Sequence, residues 1–496
     1  MAADVILITA QTLLLVYFSF FGWYNYLYLF AGLRKQKLTR IAISHENRVA
    51  VVIASFNEKG VIADTIAACL KMTYHNKTII VADDSNDPET ISILQDIAGK
   101  NGCMEPLDPR FADPNVTVLE SPSFVLFHRI KNVGYKAGNL SSLERYLTSR
   151  GYGYMYLLDA DWHPQEDAVE RCLEVIDAAP DIAFVQTKRL YYYGKGDHFQ
   201  RCLALSEEGC YLVDLPGRQQ LGETILFSGC CALFKLSHLS AVGGFQPGHL
   251  TEDLDLTNRF YLAGYRGVYL GDVANVGEVA PSYRAFRKQQ ERWTIGTART
   301  LREYFWPIIR SRLISRRVKL SLLRQNGYFT VAVAMEMALV LFSVGAVLHT
   351  LNPQAGSKIL GAVVTATTPV SVLAFASGFF PLAVVAIKRR AWLSLLYIPM
   401  TCWIVLSVIH TYFIGNIKGF RGGNHSWFLT PKTTRTGNAV KLASTPGVTI
   451  LNFATLFPVT LSFAATYPTN NPLLFAVWSL YALLWIPSLT LACWAS

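Results

Sequence analysis

The chain has 496 residues, 51% hydrophobic and 12% aromatic, with a mean hydropathy of +0.27. Only 16% of the residues are charged, against about a quarter in a soluble globular chain, which excludes a wholly water-soluble protein. The net charge of +10 does not mark a nucleic-acid binder, because Lys and Arg gather beside apolar runs at 34–40, 310–324, 388–390 and 418–441, the positive-inside pattern of a membrane protein.

Residues 4–31 are almost uninterrupted apolar and aromatic, and Arg34-Lys35-Gln36-Lys37 follows. The run is long enough to span a bilayer, and its acidic start at Asp4 is unlike a cleaved signal peptide. A retained transmembrane helix is expected over 1–32, with its N-terminus outside and the next domain in the cytosol. The nine cysteines form no CxxC pair, so neither a zinc site nor a disulfide framework is expected.

Residues 46–282 alternate in type. Val51–Ala54 is a short β-branched run, and Ser55-Phe-Asn-Glu58 opens a helical stretch to about Leu70. Thr78–Ala82 ends in Asp83-Asp84, and Met155–Leu158 ends in Asp159-Ala-Asp161. Strands alternating with helices predict a largely parallel sheet covered on both faces. Ligands of such sheets sit beyond the carboxyl ends of the strands, where both acidic clusters stand.

Residues 283–325 mix Arg with Trp, Phe, Ile and Leu, without an apolar run of spanning length, and predict helices lying in the membrane interface. Apolar segments follow: a transmembrane pair within 326–390, a stretch at 391–416, and a second pair within 447–494. Keeping 391–416 on or within the inner face leaves 388–390 and 417–446 both cytosolic and the outer loops almost uncharged. That arrangement has five spanning helices.

The chemistry is carried by few residues. Asp159 and Asp161 are two apart and share a face of the strand end, which suits Mg2+ or Mn2+ bridging phosphate oxygens. In Thr251-Glu252-Asp253, the bland assignment is an acidic first helical turn capped by Thr251; the functional one makes Asp253 a general base. Lys136, between Gly134 and Gly138, and Arg292 are the cations available to offset these acids. In Gln289-Gln-Glu-Arg-Trp293, Arg292 suits a diphosphate leaving group, and Trp293 suits either a sugar ring or the interface belt where indoles collect.

The ordered set Asp83/Asp84, Asp159-Ala-Asp161, Thr251-Glu252-Asp253 and Gln289-Gln-Glu-Arg-Trp293 resembles the D, DxD, TED, Q(Q/R)xRW signature of processive inverting family 2 glycosyltransferases, which include cellulose, β-glucan and mannan synthases. The resemblance implies a GT-A-type α/β nucleotide-sugar-binding domain inserted into an α-helical membrane domain. It implies nucleotide-sugar contacts from Ser55, Glu58, Asp83 or Asp84, Lys136, Asp159, Gln289 and Arg292. It further implies Asp161, with Asp159, on the cation, Asp253 as base, and acceptor contacts from Trp293, Phe227, Cys230 and Glu252. Trp427-Phe-Leu-Thr-Pro-Lys432 resembles the family's gating loop, implying nucleotide contacts from Thr430 and Lys432. Trp427 and Leu429 depart mildly from that motif, and Cys230-Cys231 alter the acceptor loop. The acidic motif TEDLDLT, rather than GDDR, points away from hyaluronan and chitin synthases, and no soluble domain is expected after the last helix.

The expectation is therefore a plasma- or inner-membrane synthase that polymerises sugar from a nucleotide donor, UDP-glucose first, onto a growing β-glucan and passes the polymer through the bilayer. The alternatives are a mannan or glucomannan synthase using GDP-mannose, and a glycolipid glycosyltransferase adding one or a few sugars. A transporter with a regulatory cytosolic domain is disfavoured, because Glu336 is nearly the only carboxylate in the apolar segments.

Overall fold

The computed structural model describes residues 2–34, 37–105, 111, 113–192, 197–337 and 376–423, with isolated positions at 370, 373, 483, 486–488 and 490. The gating-type loop at 427–432 and most of the expected transmembrane pairs lie outside the described residues.

A nine-stranded sheet forms the centre. Its strands are β1 (Val49–Ser55), β2 (Lys77–Asp83), β3 (Val116–Glu120), β4 (Phe124–Arg129), β5 (Tyr154–Asp159), β6 (His163–Pro164), β7 (Ile182–Tyr191), β8 (Ala232–Lys235) and β9 (Arg266–Gly277). Their spatial order is β3-β4-β2-β1-β5-β8-β7-β9-β6. Side chains alternate across β1: Val49, Val51 and Ile53 join one buried cluster, Ala50 and Val52 the other. That period of two buries both faces, as the β-branched runs predict. The first face is covered by α2 (Ile62–Leu70), α3 (Pro88–Lys100) and α5 (Ala168–Ile176), the second by α4 (Tyr135–Ser149) and α9 (Glu252–Leu262).

The sheet is mixed, not largely parallel. β4, β2, β1 and β5 run parallel, but β8 inserts antiparallel between β5 and β7. The reversal is set where the turn at Ser228–Cys231 enters the sheet at the carboxyl end of β5: the Cys231 amide bonds to the Leu157 carbonyl at 2.7 Å. The helix expected from Ser55 begins only at Ile62. Asn57 holds the intervening loop open with φ 56°, and its Oδ1 accepts from the amides of Asn86 and Asp87 at 3.0 Å each. Such side-chain bonds to backbone compete with helix formation.

Helix α1 (Ala2–Gly32) has 31 residues, about 46 Å at 1.5 Å per residue. It packs on the segment around Leu215–Leu221, where the Tyr28 hydroxyl donates to Glu223 at 2.6 Å and the Arg324 guanidinium covers the Tyr24 ring. Helices α10 (Tyr283–Arg310) and α11 (Arg316–Asn326) follow the sheet domain. The Ser282 side chain caps α10 by accepting from the Ala285 amide at 3.3 Å. Among the described residues one helical stretch, Trp392–Arg421, is long and apolar enough to cross a membrane. It is built of separate turns, with helices Ile398–Ser407 and Ile409–Arg421 meeting at Val408.

Candidate active site

Four strand ends, those of β1, β2, β4 and β5, finish level with one another. Ser55 pairs in register with Asp83, Ala54 with Asp159, and Asp83 with His128, so the parallel half of the sheet delivers its polar residues to a single rim. Asp83 is fully buried; it accepts from the Ser85 hydroxyl at 2.6 Å and meets His128 Nδ1 at 2.8 Å. Asp84 is bound by Arg129 through two parallel bonds of 2.7 and 2.6 Å. The same guanidinium donates to the carbonyls of Val133 and Tyr135 at 3.0 and 3.2 Å. Of the two acids left open as nucleotide contacts, Asp84 is thus committed to an internal ion pair that anchors the entry to α4. Ser55 is buried at its strand end and Glu58 half-buried in the following loop.

Lys136, on the first turn of α4, reaches across the rim. Its ammonium donates to Asp159 Oδ1 and, at 2.8 Å, to the Gly229 carbonyl, and lies 3.9 Å from Glu252. Burial alone would lower its pKa, but Asp159 and Glu252 outweigh that and leave the ammonium firmly charged. Asp161 is 3% exposed. Glu252 and Asp253 open α9; the Leu254 amide donates to Asp253 Oδ1 at 2.8 Å. Gly229 adopts φ 86°, and a Cβ there would lie 3.4 Å from Asp253 Oδ2, so glycine serves both the left-handed turn and the close approach of the carboxylate.

The electrostatics confirm that these groups share one space. Burial raises Glu252 to about 7, opposed by Lys136 and reinforced by Asp253. Burial also raises Asp253, opposed by the Leu254 amide, Arg292 and Lys136. Burial lowers Arg292, with Glu252, Asp253 and Asp159 pulling it back up. Three carboxylates, Asp159, Glu252 and Asp253, from two distant motifs therefore face two cations from two others. No group of three His, Cys, Asp or Glu side chains suited to a metal occurs among the described residues. The pair Asp159/Asp161 still fits Mg2+ or Mn2+, since such ions take one or two carboxylates and complete their shell with substrate phosphates.

Helix α10 brings Arg292 to this rim, where it donates to the Leu250 carbonyl at 3.3 Å. Gln289 and Trp293 are half-buried on the same helix, whereas Gln290 is buried and accepts from the Tyr412 hydroxyl at 2.9 Å. Glu291 binds Lys418 at 2.6 Å and Lys288 at 3.1 Å. The helix Ile409–Arg421 thus lies along α10, packed so closely that a Cβ on Gly419 would come within 2.5 Å of the Ile295 carbonyl.

Two expected acceptor contacts are displaced. Phe227 is 0% exposed, its ring 4.8 Å from Phe234 and 6.3 Å from both Phe184 and Phe245; a side chain of that size is worth more in the core than on a polar rim. Cys230 is also buried, its sulfur 3.7 Å from Cys231 with both thiols free. The turn shows Ser228 and Gly229 to the site instead. Glu252 is buried against Lys136 and not set on an open groove. Thr430 and Lys432 lie outside the described residues. Arg129, His128 and Arg189 went unnoticed in the sequence, although each stands at or near a strand end, and scanning strand ends for any polar residue, not acids alone, finds them; Gln186 lies mid-strand in β7 and carries no such signal.

A sequence profile described as Glycosyl transferase family group 2 matches residues 154–494, and one described as Glycosyl transferase family 2 matches residues 50–243. Glucomannan 4-beta-mannosyltransferase 7 of Arabidopsis thaliana is 30% identical over 273 residues, 54% of this chain and 46% of its own length. Probable glucomannan 4-beta-mannosyltransferase 2 of Oryza sativa subsp. japonica is 25% identical over 317 residues, 64% of this chain and 52% of its own. The chain spans about half the length of these curated relatives. A solved mannosyltransferase from Pyrobaculum calidifontis, in complex with GDP-Man and Mn2+, superposes with a TM-score of 0.50 at 18% identity, over 78% of this chain and 98% of that one. That likeness is one of fold.

Proposed function

The chain belongs to glycosyl transferase family group 2, and from that premise we propose that it is a membrane-embedded inverting hexosyltransferase building a β-linked mannan or glucomannan from GDP-mannose. The observation that carries the chemistry is the convergence of Asp253, Lys136 with Asp159, and Arg292 around the Ser228–Gly229 turn. The donor follows the relatives, whose names are mannosyltransferases; they favour the GDP-mannose alternative over the UDP-glucose first expected.

Asp253 takes the proton from the acceptor hydroxyl as that oxygen attacks the anomeric carbon, and the bond from that carbon to the diphosphate breaks on the opposite face. One base and an in-line displacement invert the configuration. Arg292 and Lys136 receive the charge that develops on the leaving diphosphate, in a site where burial strengthens each interaction. A divalent cation held by Asp161 and Asp159 would neutralise the diphosphate further. Asp83 and the loop carrying Ser55 and Glu58 supply the nucleotide side, and the half-buried Trp293 supplies a stacking face for the acceptor sugar. The five-span membrane domain, the cytosolic placement of 46–282 and the gating role of 417–446 remain parts of this proposal.

The test is to purify the full chain in detergent, supply GDP-mannose or UDP-glucose with Mn2+ or Mg2+, and size the product on a gel. A polymer made from GDP-mannose and degraded by a β-1,4-mannanase supports the proposal. A cellulase-sensitive product from UDP-glucose alone reverses the donor, and a short glycolipid in place of polymer establishes the lipid-acceptor alternative.

A further inference from the structure

In the turn Ser228–Cys231, the Ser228 amide and three of the four carbonyls are held by side chains from one strand, β7. The Ser228 amide donates to Gln186 Oε1 at 3.0 Å, and Gln186 Nε2 donates to the carbonyls of Cys230 and Cys231 at 3.0 Å each. The Cys231 carbonyl also accepts from the Thr187 hydroxyl at 2.6 Å. Arg189 Nη1 donates to the Ser228 carbonyl at 2.8 Å, and the next carbonyl, Gly229, accepts from Lys136 at 2.8 Å. Two successive carbonyls of the turn are therefore gripped by two cations from different elements.

Arg189 is itself fixed. Its guanidinium lies 4.4 Å from the centroid of the Trp162 ring and 5.3 Å from that of Tyr211, and Tyr211 donates its hydroxyl to Ser228 Oγ at 2.9 Å. The ring faces set the plane of the cation, and that plane sets the Ser228 carbonyl. Trp162 follows Asp161 directly in sequence, so the strand end that carries the DxD pair also braces the turn beside Asp253.

We propose that Arg189, with Gln186, is a positioning residue for the acceptor: it fixes the Ser228–Gly229 turn against Asp253 and so determines which hydroxyl is presented to the base. It touches neither donor nor reacting atoms. This inference rests on the transferase reading of the site. Its consequence is that loosening the turn leaves the donor bound and its sugar activated while the acceptor hydroxyl sits out of register. The anomeric carbon is then attacked by water, whose proton goes to Asp253, releasing free sugar and nucleoside diphosphate.

The experiment compares Arg189→Lys and Arg189→Met with the wild-type full chain in detergent, under identical GDP-mannose and Mn2+. Four quantities are read: donor KM, kcat for transfer, the ratio of sugar hydrolysed to sugar transferred, and product linkage. The expected result is a donor KM within about twofold of wild type, kcat lower by about 10–100-fold, a raised hydrolysis ratio, and a milder defect in Lys than in Met. Unchanged kcat and hydrolysis ratio in both variants overturn the inference. So does a parallel fall in donor affinity, melting temperature and kcat, which marks a purely structural role. A wild-type protein that makes no product from any nucleotide sugar fails the functional proposal itself and is distinguished by that control.

Discussion

Asp84 and Asp253 are both acids at element ends, yet their surroundings give them opposite employment. Asp84 has both oxygens tied to Arg129, and breaking a buried pair leaves an uncompensated charge that costs about 3–5 kcal/mol. Arg129→Ala should therefore lower the melting temperature sharply, and Asp84→Leu added to it should recover part of the loss. Asp253 has one oxygen on the Leu254 amide and the other beside Gly229. Asp253→Asn should reduce transfer roughly 10^2–10^4-fold, the range of a lost general base, while titration with GDP-mannose still shows donor binding; a fully active variant removes Asp253 as base. Glu252 adds a pH dependence. Its folded pKa of about 7 lies above the ordinary 4.5, so the folded state holds the proton more tightly than the unfolded one. Stability tied to this group is complete below pH 4.5 and is lost as pH rises through 7. Thermal melts of Glu252→Gln should match wild type near pH 5 and exceed it at pH 8; an advantage that shrinks as pH rises would reverse the sign.

The element that organises the site is α10, and its orientation is set by the helix beside it. Tyr412 holds Gln290, Lys418 holds Glu291, and Gly419 lets the two backbones meet. One turn earlier, His410 pairs with Glu336 at 2.8 Å, both buried, which occupies the carboxylate that a transporter would need to leave free for its cargo. Gly419→Leu has no room to relax, because the nearest obstacles are the Ile295 carbonyl, the inflexible Ala298 Cβ and the Arg299 amide nitrogen; overpacking of this kind costs about 1–3 kcal/mol. The variant should lose activity while the sheet domain still binds GDP-mannose. Tyr412→Phe, which removes one bond worth about 1 kcal/mol, should fall between it and wild type. Equal activity in all three proteins would show that the helix does not position α10.

At the scale of the whole molecule, legibility followed the range of the interactions. The rim of strand ends was readable because β-branched runs, acidic ends and the strand-end rule are all local. The mixed sheet was not, because the reversal of β8 depends on a turn held by Gln186 and Arg189, more than 30 residues upstream. The burial of Phe227 was hidden for the same reason: its motif gave an acceptor loop, but Phe184, Phe234 and Phe245 surround its ring in the core.

Topology is the largest consequence of the stretch Trp392–Arg421. By length and apolar character it could cross a bilayer. Its second half is fastened to α10 by Tyr412, Lys418 and Gly419, and α10 is continuous with the rim of the sheet domain. Under the proposed membrane placement, a helix whose far end is bound to that domain would hold Lys418 and Arg421 on the domain's own side of the bilayer, the side the charge rule expects for the basic loop 417–446. A protease site inserted after Gly437 should then be cut from the same side as one inserted at the exposed Gly102, in sealed vesicles of either orientation. Cleavage of the two sites from opposite sides would mean that Trp392–Arg421 crosses, and would remove 427–432 from any role in closing over the donor.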